Sequence, residues 1–282
     1  MAGRLNIQEL STKHSLDLNV LVSQAFEYDA GQSFFDDFPI GDLRNGPNAR
    51  VFGVFDISTG TEKLVSSVGI KIWNIRENGA IRKVSALGAV ATHKDFRGRG
   101  FSSQLIAHVL EISKSHGIQH CLRWGGEQEF YARLGFTLQG QQYRFPIGDG
   151  FEPATQNPNE LQSGWNIRIF SDLQKRPWGV KFEQTDLSWI EKQQTVKWFW
   201  IDQPFAYVGI GRGRDLPGII HEFGGDPVSL NRLMQILTGV APTLEWMIGG
   251  EAFRYLGNGA LSKTAVRCAK PDLSEYFASI HG

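Results

Sequence analysis

Two runs of alternating residues, KLVSSVGIKIWNI (63–75) and IRKVSALGAVAT (81–92), meet at Glu77-Asn78-Gly79-Ala80. An Asn-Gly pair suits the positive-φ positions of a tight hairpin turn, so the two runs are constrained to pair as antiparallel neighbours. RVFGVFDI (50–57), joined to the first run through STGTE, adds another strand to the same meander. The period then changes. Phe101, Leu105, Val109 and Ile112 recur at helical spacing, and Gly117 stops the run just after Lys114 and His116. IQHCLRW (118–124) reads as a strand, EQEFYARL as a short helix ending at Gly135, and FTLQGQQYRFPI as a further strand. Ahead of the meander, RLNIQEL (4–10) alternates like a strand. Within 15–28, Leu18, Leu21, Val22, Ala25 and Phe26 share one helical face. The order is β-α-β-β-β-α-β-α-β over residues 1–147, a mixed α/β domain.

GDGFEPATQNPNELQSG (148–164) has no periodicity and reads as a linker. Six of the eight tryptophans lie between 165 and 246, which marks a change of composition and a second domain over 165–282. Its expected elements are WNIRIF, a helix near 186–200, AYVGIG (206–211), GIIHEF (218–223), a helix over 228–238, TLEWMI (243–248), a short helix from Gly250 and KTAVRCA (263–269). That order repeats the second half of the first domain. WGGEQEFYARLGF (124–136) also matches IGGEAFRYLGN (248–258) when a two-residue gap is allowed, which suggests a duplication.

Lysine plus arginine number 29 and aspartate plus glutamate 29, so the chain lacks the positive excess of a nucleic-acid-binding protein. Any anion it takes is expected to be small and held locally. MAGRLNIQEL has no apolar signal core and no stretch reaches the length of a membrane helix, so a cytoplasmic, membrane-free protein is expected. Cys121 and Cys268 each fall inside an apparent strand and read as buried thiols, and no Cys/His pair has zinc spacing.

Between the meander and its helix lies DFRGRGFSSQLI (95–106), which serves either as a phosphate cradle or as an ordinary surface turn. Gly98 and Gly100 remove side chains where the chain enters a helix, whose first N–H groups lack internal partners and carry the positive dipole end. Arg97 and Arg99 add charge. The Walker form G-x-x-x-x-G-K-[ST] is absent, and Gly98-x-Gly100 lacks a third spaced glycine because position 103 is serine. GIGRGRDLPG (209–218) is also glycine-rich but precedes a strand, and reads as a hairpin.

The run ALGAVAT-HKDF-RGRGFSSQLI resembles motif A of the GNAT acyltransferase superfamily, Arg/Gln-x-x-Gly-x-Gly/Ala at a helix start. Arg97 and Gly100 match, whereas Ser102 holds the last position. EFYARLGF (129–136) is similar to the family's tyrosine-x-x-x-glycine-phenylalanine motif, through Tyr131, Gly135 and Phe136. The element order agrees over residues 4–147. The resemblance implies the GNAT fold, a mixed and mostly antiparallel sheet flanked by helices, with acetyl-CoA as acyl donor and an amine as acceptor. It places Val90, Ala91 and Thr92 on the pantetheine arm, and the amides of Arg97, Gly98, Arg99, Gly100, Phe101, Ser102 and Ser103 on the diphosphate. Tyr131 would stand near the thioester sulfur. Many members carry asparagine seven residues before that tyrosine, where this chain has Trp124.

Acylation of an amine needs a proton for the leaving thiolate, and a phenol with a pKa around 10 is protonated at neutral pH. That suits Tyr131 as general acid, with a core aromatic as the plainer reading. Backbone N–H groups at the end of the 84–92 strand could stabilise the developing oxyanion. The base is not evident: His93 reads as a turn residue, and His221-Glu222 as buried, interfacial or catalytic. Asp36, Asp37 and Asp42 occupy a loop that borders the acceptor site in the family, as acceptor contacts or as solvated acids. Retention of both motifs favours an N-acetyltransferase over a non-catalytic acyl-CoA-binding or interaction protein. In the second half, Glu222, Gly224, Gly225, Asp226 and Pro227 replace the arginine-glycine loop, which predicts a degenerate GNAT-like domain without a donor site. Its 201–217 segment is a candidate wall for the acceptor groove.

Overall fold

The computed structural model describes residues 6–46, 49–58, 60–77, 79–124, 126–149, 151–153, 158–176, 179–249 and 262–269. In chain order the elements are β1 (Ile7–Glu9), α1 (Ser15–Ala25), α2 (Phe34–Asp37), β2 (Arg50–Asp56), β3 (Lys63–Glu77), β4 (Ala80–Thr92), α3 (Phe101–Ser115), β5 (His120–Trp124) and α4 (Gln128–Arg133). They continue as β6 (Thr137–Pro146), β7 (Gln162–Ser163), α5 (Ile167–Lys175), β8 (Gly179–Val180), α6 (Leu187–Ile190), β9 (Lys197–Ile201), β10 (Ala206–Ile210), β11 (Ile219–Gly225), α7 (Pro227–Val240), β12 (Glu245–Gly249) and β13 (Ser262–Ala269). Two compact units result: Met1–Leu138 with Gln174–Gln194 and Leu256–Ala265, and Gln139–Leu173 with Thr195–Tyr255 and Val266–Gly282.

In the first unit the strands run β1-β2-β3-β4-β5. The Asn-Gly turn does what its residues require: Glu77 faces Ala80 across the β3–β4 hairpin, and Gly79 sits at φ 78°. All pairs are antiparallel except β4–β5, which is parallel and therefore needs a crossover. The helix α3 supplies it. Alternation along the strands divides the unit into two layers of core. Phe52, Val54, Val68 and Ile70 pack with Leu105, Ile106 and Val109 of α3. On the opposite face Val51, Leu64, Ala89 and Ala91 pack with Leu18, Leu21 and Val22 of α1 and with Phe34 and Phe35 of α2. Leu105, Ile106 and Val109 are fully buried, which contributes about 1.5–3 kcal/mol each.

The stretch 174–194 completes this unit. β8 pairs with β3 at Ile75 and Arg76, and the Arg76 guanidinium donates to the carbonyls of Gln174 (2.7 Å) and Arg176 (2.8 Å). Asp186 holds the Lys71 ammonium at 3.3 Å and accepts from the Trp189 indole at 3.1 Å. Lys192 donates to Asn45 at 2.8 Å. The stretch 174–194 thus joins the first unit beside the 39–45 loop.

In the second unit the strands run β6-β12-β11-β10-β9-β7, antiparallel except for β11–β12. Leu233, Met234 and Leu237 of α7 pack with Val208, Ile220 and Trp246 on one face of this sheet. The Tyr207 hydroxyl donates to Asp172 of α5 at 2.9 Å. One expectation changes here. A helix near 186–200 is not formed: α6 stops at Ile190 and β9 begins at Lys197. Buried Val196 and Trp198 flank exposed Lys197, a two-residue period in β-branched and aromatic residues that favours a strand. Within WNIRIF a helix begins at Ile167, with Ile169, Phe170 and Leu173 turned inward. Residues 148–164, expected as a linker, include β7, which pairs with β9. The short helix expected from Gly250 lies outside the described residues.

Candidate active site

The hairpin strand β4 is not regular at its far end. Ser67 faces Ala91 and Gly69 faces Gly88, so Ala89 and Val90 together oppose Val68 alone. This bulge puts Ala89 at φ 47°, a left-handed conformation that costs a non-glycine residue of order 1 kcal/mol or more. Seryl side chains brace it, with Ser67 Oγ donating to the Ala89 carbonyl at 2.9 Å and Ser66 Oγ to that of Ala91 at 3.0 Å. The parallel ladder pairs Ser85 with Cys121 and Ala86 with Leu122, while both strands run on, to Thr92 and Trp124. The bulge therefore lies on the part of β4 beyond its pairing with β5.

A short 3-10 turn, Lys94–Phe96, leads from Thr92 to α3. Gly98 and Gly100 take φ 77° and 78°, which explains why glycine occupies both positions. Gly100, at the N-cap position of α3, has no side chain to cap it, and among the described residues no side chain bonds to the N–H groups of the first turn. The first helical bond is that of Gln104 N–H to the Gly100 carbonyl, at 3.1 Å. The amides of Phe101, Ser102 and Ser103 therefore lack intrahelical partners. Arg97 donates to the Thr92 carbonyl at 3.3 Å, and Arg99 to that of Asp95 at 3.2 Å, its guanidinium 4.7 Å from the Phe96 ring. Among the described residues no carboxylate pairs with either arginine. Thr92 Oγ1 and Ser102 Oγ are 2.6 Å apart, so a hydroxyl pair ties the strand end to the helix start. This gives Ser102 a task that glycine or alanine could not perform. The whole sequence-predicted set, Val90 to Thr92 and Arg97 to Ser103, is thus one continuous strand-turn-helix junction. Its uncapped helix terminus and uncompensated arginines fit the diphosphate of a nucleotide carrier.

Tyr131, on α4, is 8% exposed and belongs to the same core cluster as Leu105, Ile106 and Cys121, against which Val90 and Phe101 also pack. Its ring lies edge-on to Phe130 (4.9 Å) and Phe136 (5.5 Å). Burial pushes the phenol above its ordinary value, with the nearby Arg123 charge acting in the opposite direction. The hydroxyl has no hydrogen-bond partner among the described residues, so its proton is retained and uncommitted at neutral pH. Sequence patterns missed Arg123. It is 3% exposed, its guanidinium carbon lies 3.7 Å from the centre of the Tyr131 ring, and Nη1 donates to the Gly126 carbonyl at 2.7 Å. Burial pushes the Arg123 guanidinium below its ordinary value. An arginine in an apolar strand gives no periodic signal, because only the fold brings it onto the tyrosine. Trp124, which stands where many family members have asparagine, is 49% exposed.

The other candidates are committed elsewhere. Asp37 is 1% exposed and accepts from the Tyr28 hydroxyl, whereas Asp42 forms a two-pronged pair with Arg44. Asp36 accepts from the Ser33 amide as part of the α2 cap. Asp37 and Asp42 are therefore buried structural groups and not solvated acids. His93 Nε2 lies 3.2 Å from Lys63 Nζ, and His93 Nδ1 accepts from the Asp95 amide at 3.4 Å. His221 is the extra residue of a bulge, since Gly209 faces Glu222 while Ile210 faces Ile220. Its Nε2 lies 2.8 Å from the Gly211 carbonyl, and burial depresses its pKa to about 3. It is neutral and structural. Cys121 is a buried thiol.

The second unit repeats this arrangement without the open terminus. β11, bulged like β4, leads through α7 to a parallel partner, β12. Here, however, Asp226 caps the helix by accepting from the Ser229 amide at 2.9 Å, and Pro227 occupies the first turn.

Residues 6–139 match the acetyltransferase (GNAT) domain family. This part of the chain is a GNAT domain. Among solved structures, a conserved protein from Enterococcus faecalis V583 superposes with a TM-score of 0.63 at 15% identity, covering 87% of this chain and 66% of that one. A GCN5-related N-acetyltransferase from Anabaena variabilis gives 0.59 at 15% identity, over 88% and 66%. Another from Kribbella flavida gives 0.58 at 16%, over 87% and 64%. The chain thus spans just under two thirds of the length of these structures, and at such identities the likeness establishes the fold. No curated protein sequence matches. No helix of the described residues is long and apolar enough to cross a membrane.

Proposed function

We propose that the protein is an acetyl-CoA-dependent N-acetyltransferase. In this reading it acts on a primary amine of a small molecule, peptide or protein, through a domain over residues 1–147. The observation that carries this reading is the uncapped α3 terminus behind two left-handed glycines, flanked by two arginines with no carboxylate partner among the described residues. Amides 101–103 hold the diphosphate, and Val90, Ala91 and Thr92 offer backbone groups to the pantetheine arm. Backbone N–H groups at the end of β4 stabilise the developing oxyanion in this reading.

In the reaction the amine nitrogen attacks the thioester carbonyl, forming the C–N bond as the C–S bond breaks. Tyr131 gives its hydroxyl proton to the departing sulfur. The ammonium proton of the product is lost to solvent, from which the phenolate is reprotonated. Tyr131 suits this role because its hydroxyl is protonated and uncommitted.

Residues 148–164 lead to a degenerate GNAT-like domain within 165–282, of which 174–194 packs with the first unit, and in it the Asp226 carboxylate occupies the helix terminus that a diphosphate would need. The chain then binds one acetyl-CoA. A thiol-release assay with acetyl-CoA against a panel of amines tests the proposal, with turnover above background on at least one amine as the expected result. Acetyl-CoA binding without turnover on any amine would favour the alternative, a non-catalytic acyl-CoA-binding module.

A further inference from the structure

A guanidinium is costly to bury, yet Arg123 is 3% exposed and stands on the strand face shared with Cys121, over the ring of Tyr131. Among its contacts, two bear on Tyr131. The Gly126 carbonyl accepts from both terminal nitrogens, and the guanidinium carbon lies over the Tyr131 ring, 3.7 Å from its centre. Gly126 precedes α4, the helix that carries Tyr131, so one side chain ties the end of β5 to the entry of that helix and to the ring itself.

We propose that Arg123 is a positioning residue for Tyr131, fixing the ring's orientation and stabilising the phenolate left when the hydroxyl proton passes to the leaving sulfur. The inference rests on Tyr131 being the general acid. A cation on the ring face interacts more favourably with the ring once it carries the phenolate's negative charge, so it lowers the barrier to proton donation. The titratable groups acting on the phenol are Arg123 and Cys121 from β5 and Glu127 from the turn before α4. Arg123 is the one that favours the ionised form. Removing its charge should make Tyr131 a weaker acid by about one to three pH units, the usual effect of losing an opposite charge at this range. With a Brønsted coefficient of about 0.5, kcat should fall roughly threefold to thirtyfold while the KM for acetyl-CoA stays unchanged.

The test uses Arg123→Met, which keeps an unbranched chain without charge, and Arg123→Lys, which keeps charge without the planar fork. Fluorotyrosine replaces tyrosine throughout each full-length variant, because its more acidic phenol titrates at lower pH, and fluorine NMR follows the titration. Tyr131→Phe identifies the resonance, and no acceptor is needed. The expected result is a Tyr131 titration moved to higher pH in Arg123→Met and substantially restored in Arg123→Lys, with the alkaline limb of kcat moving in parallel. An unmoved titration in Arg123→Met overturns the inference. Should Arg123→Met fail to fold, Arg123→Gln, which also lacks the charge, takes its place: a Tyr131 titration moved to higher pH supports the inference, and an unmoved one overturns it. The two readings fail separately. Tyr131→Phe with undiminished kcat removes the acid role itself, whereas an inactive Tyr131→Phe beside an unshifted Arg123→Met removes only the part assigned to Arg123.

Discussion

Replacing Tyr131 by phenylalanine deletes one oxygen and leaves every described contact of the ring in place: Phe130 at 4.9 Å, Phe136 at 5.5 Å and the Arg123 guanidinium at 3.7 Å. The hydroxyl has no hydrogen-bond partner among the described residues. Its loss therefore breaks no hydrogen bond among the described residues, and stability should change by less than about 1 kcal/mol. Catalysis should respond very differently. A positioned acid is worth roughly 10²- to 10⁴-fold, and at about 1.4 kcal/mol per tenfold this corresponds to about 3–5 kcal/mol of the barrier. The KM for acetyl-CoA should not move, because the junction 90–103 is untouched. Thermal melting of both proteins checks the first expectation. Steady-state thiol release, with single-turnover kinetics to exclude limiting product release, checks the second. An unchanged single-turnover rate in a folded Tyr131→Phe protein would refute the reasoning and leave Tyr131 as a packing residue.

At the donor loop, Gly100→Val must hold φ near 78°, which costs about 1–2 kcal/mol, but the new Cβ meets nothing closer than Gln104 Nε2 at 4.0 Å. The variant should fold with a slightly lower Tm and bind acetyl-CoA at least about tenfold more weakly by calorimetry; equal affinities would dissociate the loop from binding. The depressed pKa of His221, about 3, carries a stability term that is fully present above its unfolded value of 6.5 and is lost as pH falls from there toward 3. The loss is at most about 1.4 kcal/mol per pH unit. His221→Gln should accordingly flatten the acid limb of an unfolding curve followed by tryptophan fluorescence, and an acid limb of unchanged slope would contradict the assignment.

Much of the first unit was legible because local signals agreed with one another. The Asn-Gly turn set the β3–β4 register, the 3.6-residue period marked α3, and the glycines at 98 and 100 stand at the helix entry where they were read, in left-handed conformations that only the structure shows. The donor loop is continuous in sequence, so its pattern could be read directly. What escaped was whatever depends on distant contacts. Arg123 becomes notable only when α4 brings Tyr131 onto it. The place of 174–194 beside β3 follows from the Arg76 and Lys71 partners, which no period encodes. Around 186–200 helical and strand signals overlap: LSWI forms one helical turn, whereas VKWFWI alternates and pairs. Asp36 and Asp42 looked available for an acceptor because capping acids and substrate acids are the same residue types in a loop.

The central claim is that one unit binds the acyl donor and the other does not. Its most direct test is a calorimetric titration of the full chain with acetyl-CoA. The open terminus of α3 and the Asp226-capped terminus of α7 predict saturation at one equivalent, with the heat lost in Gly100→Val. Saturation at two equivalents, or no binding at all, would contradict it.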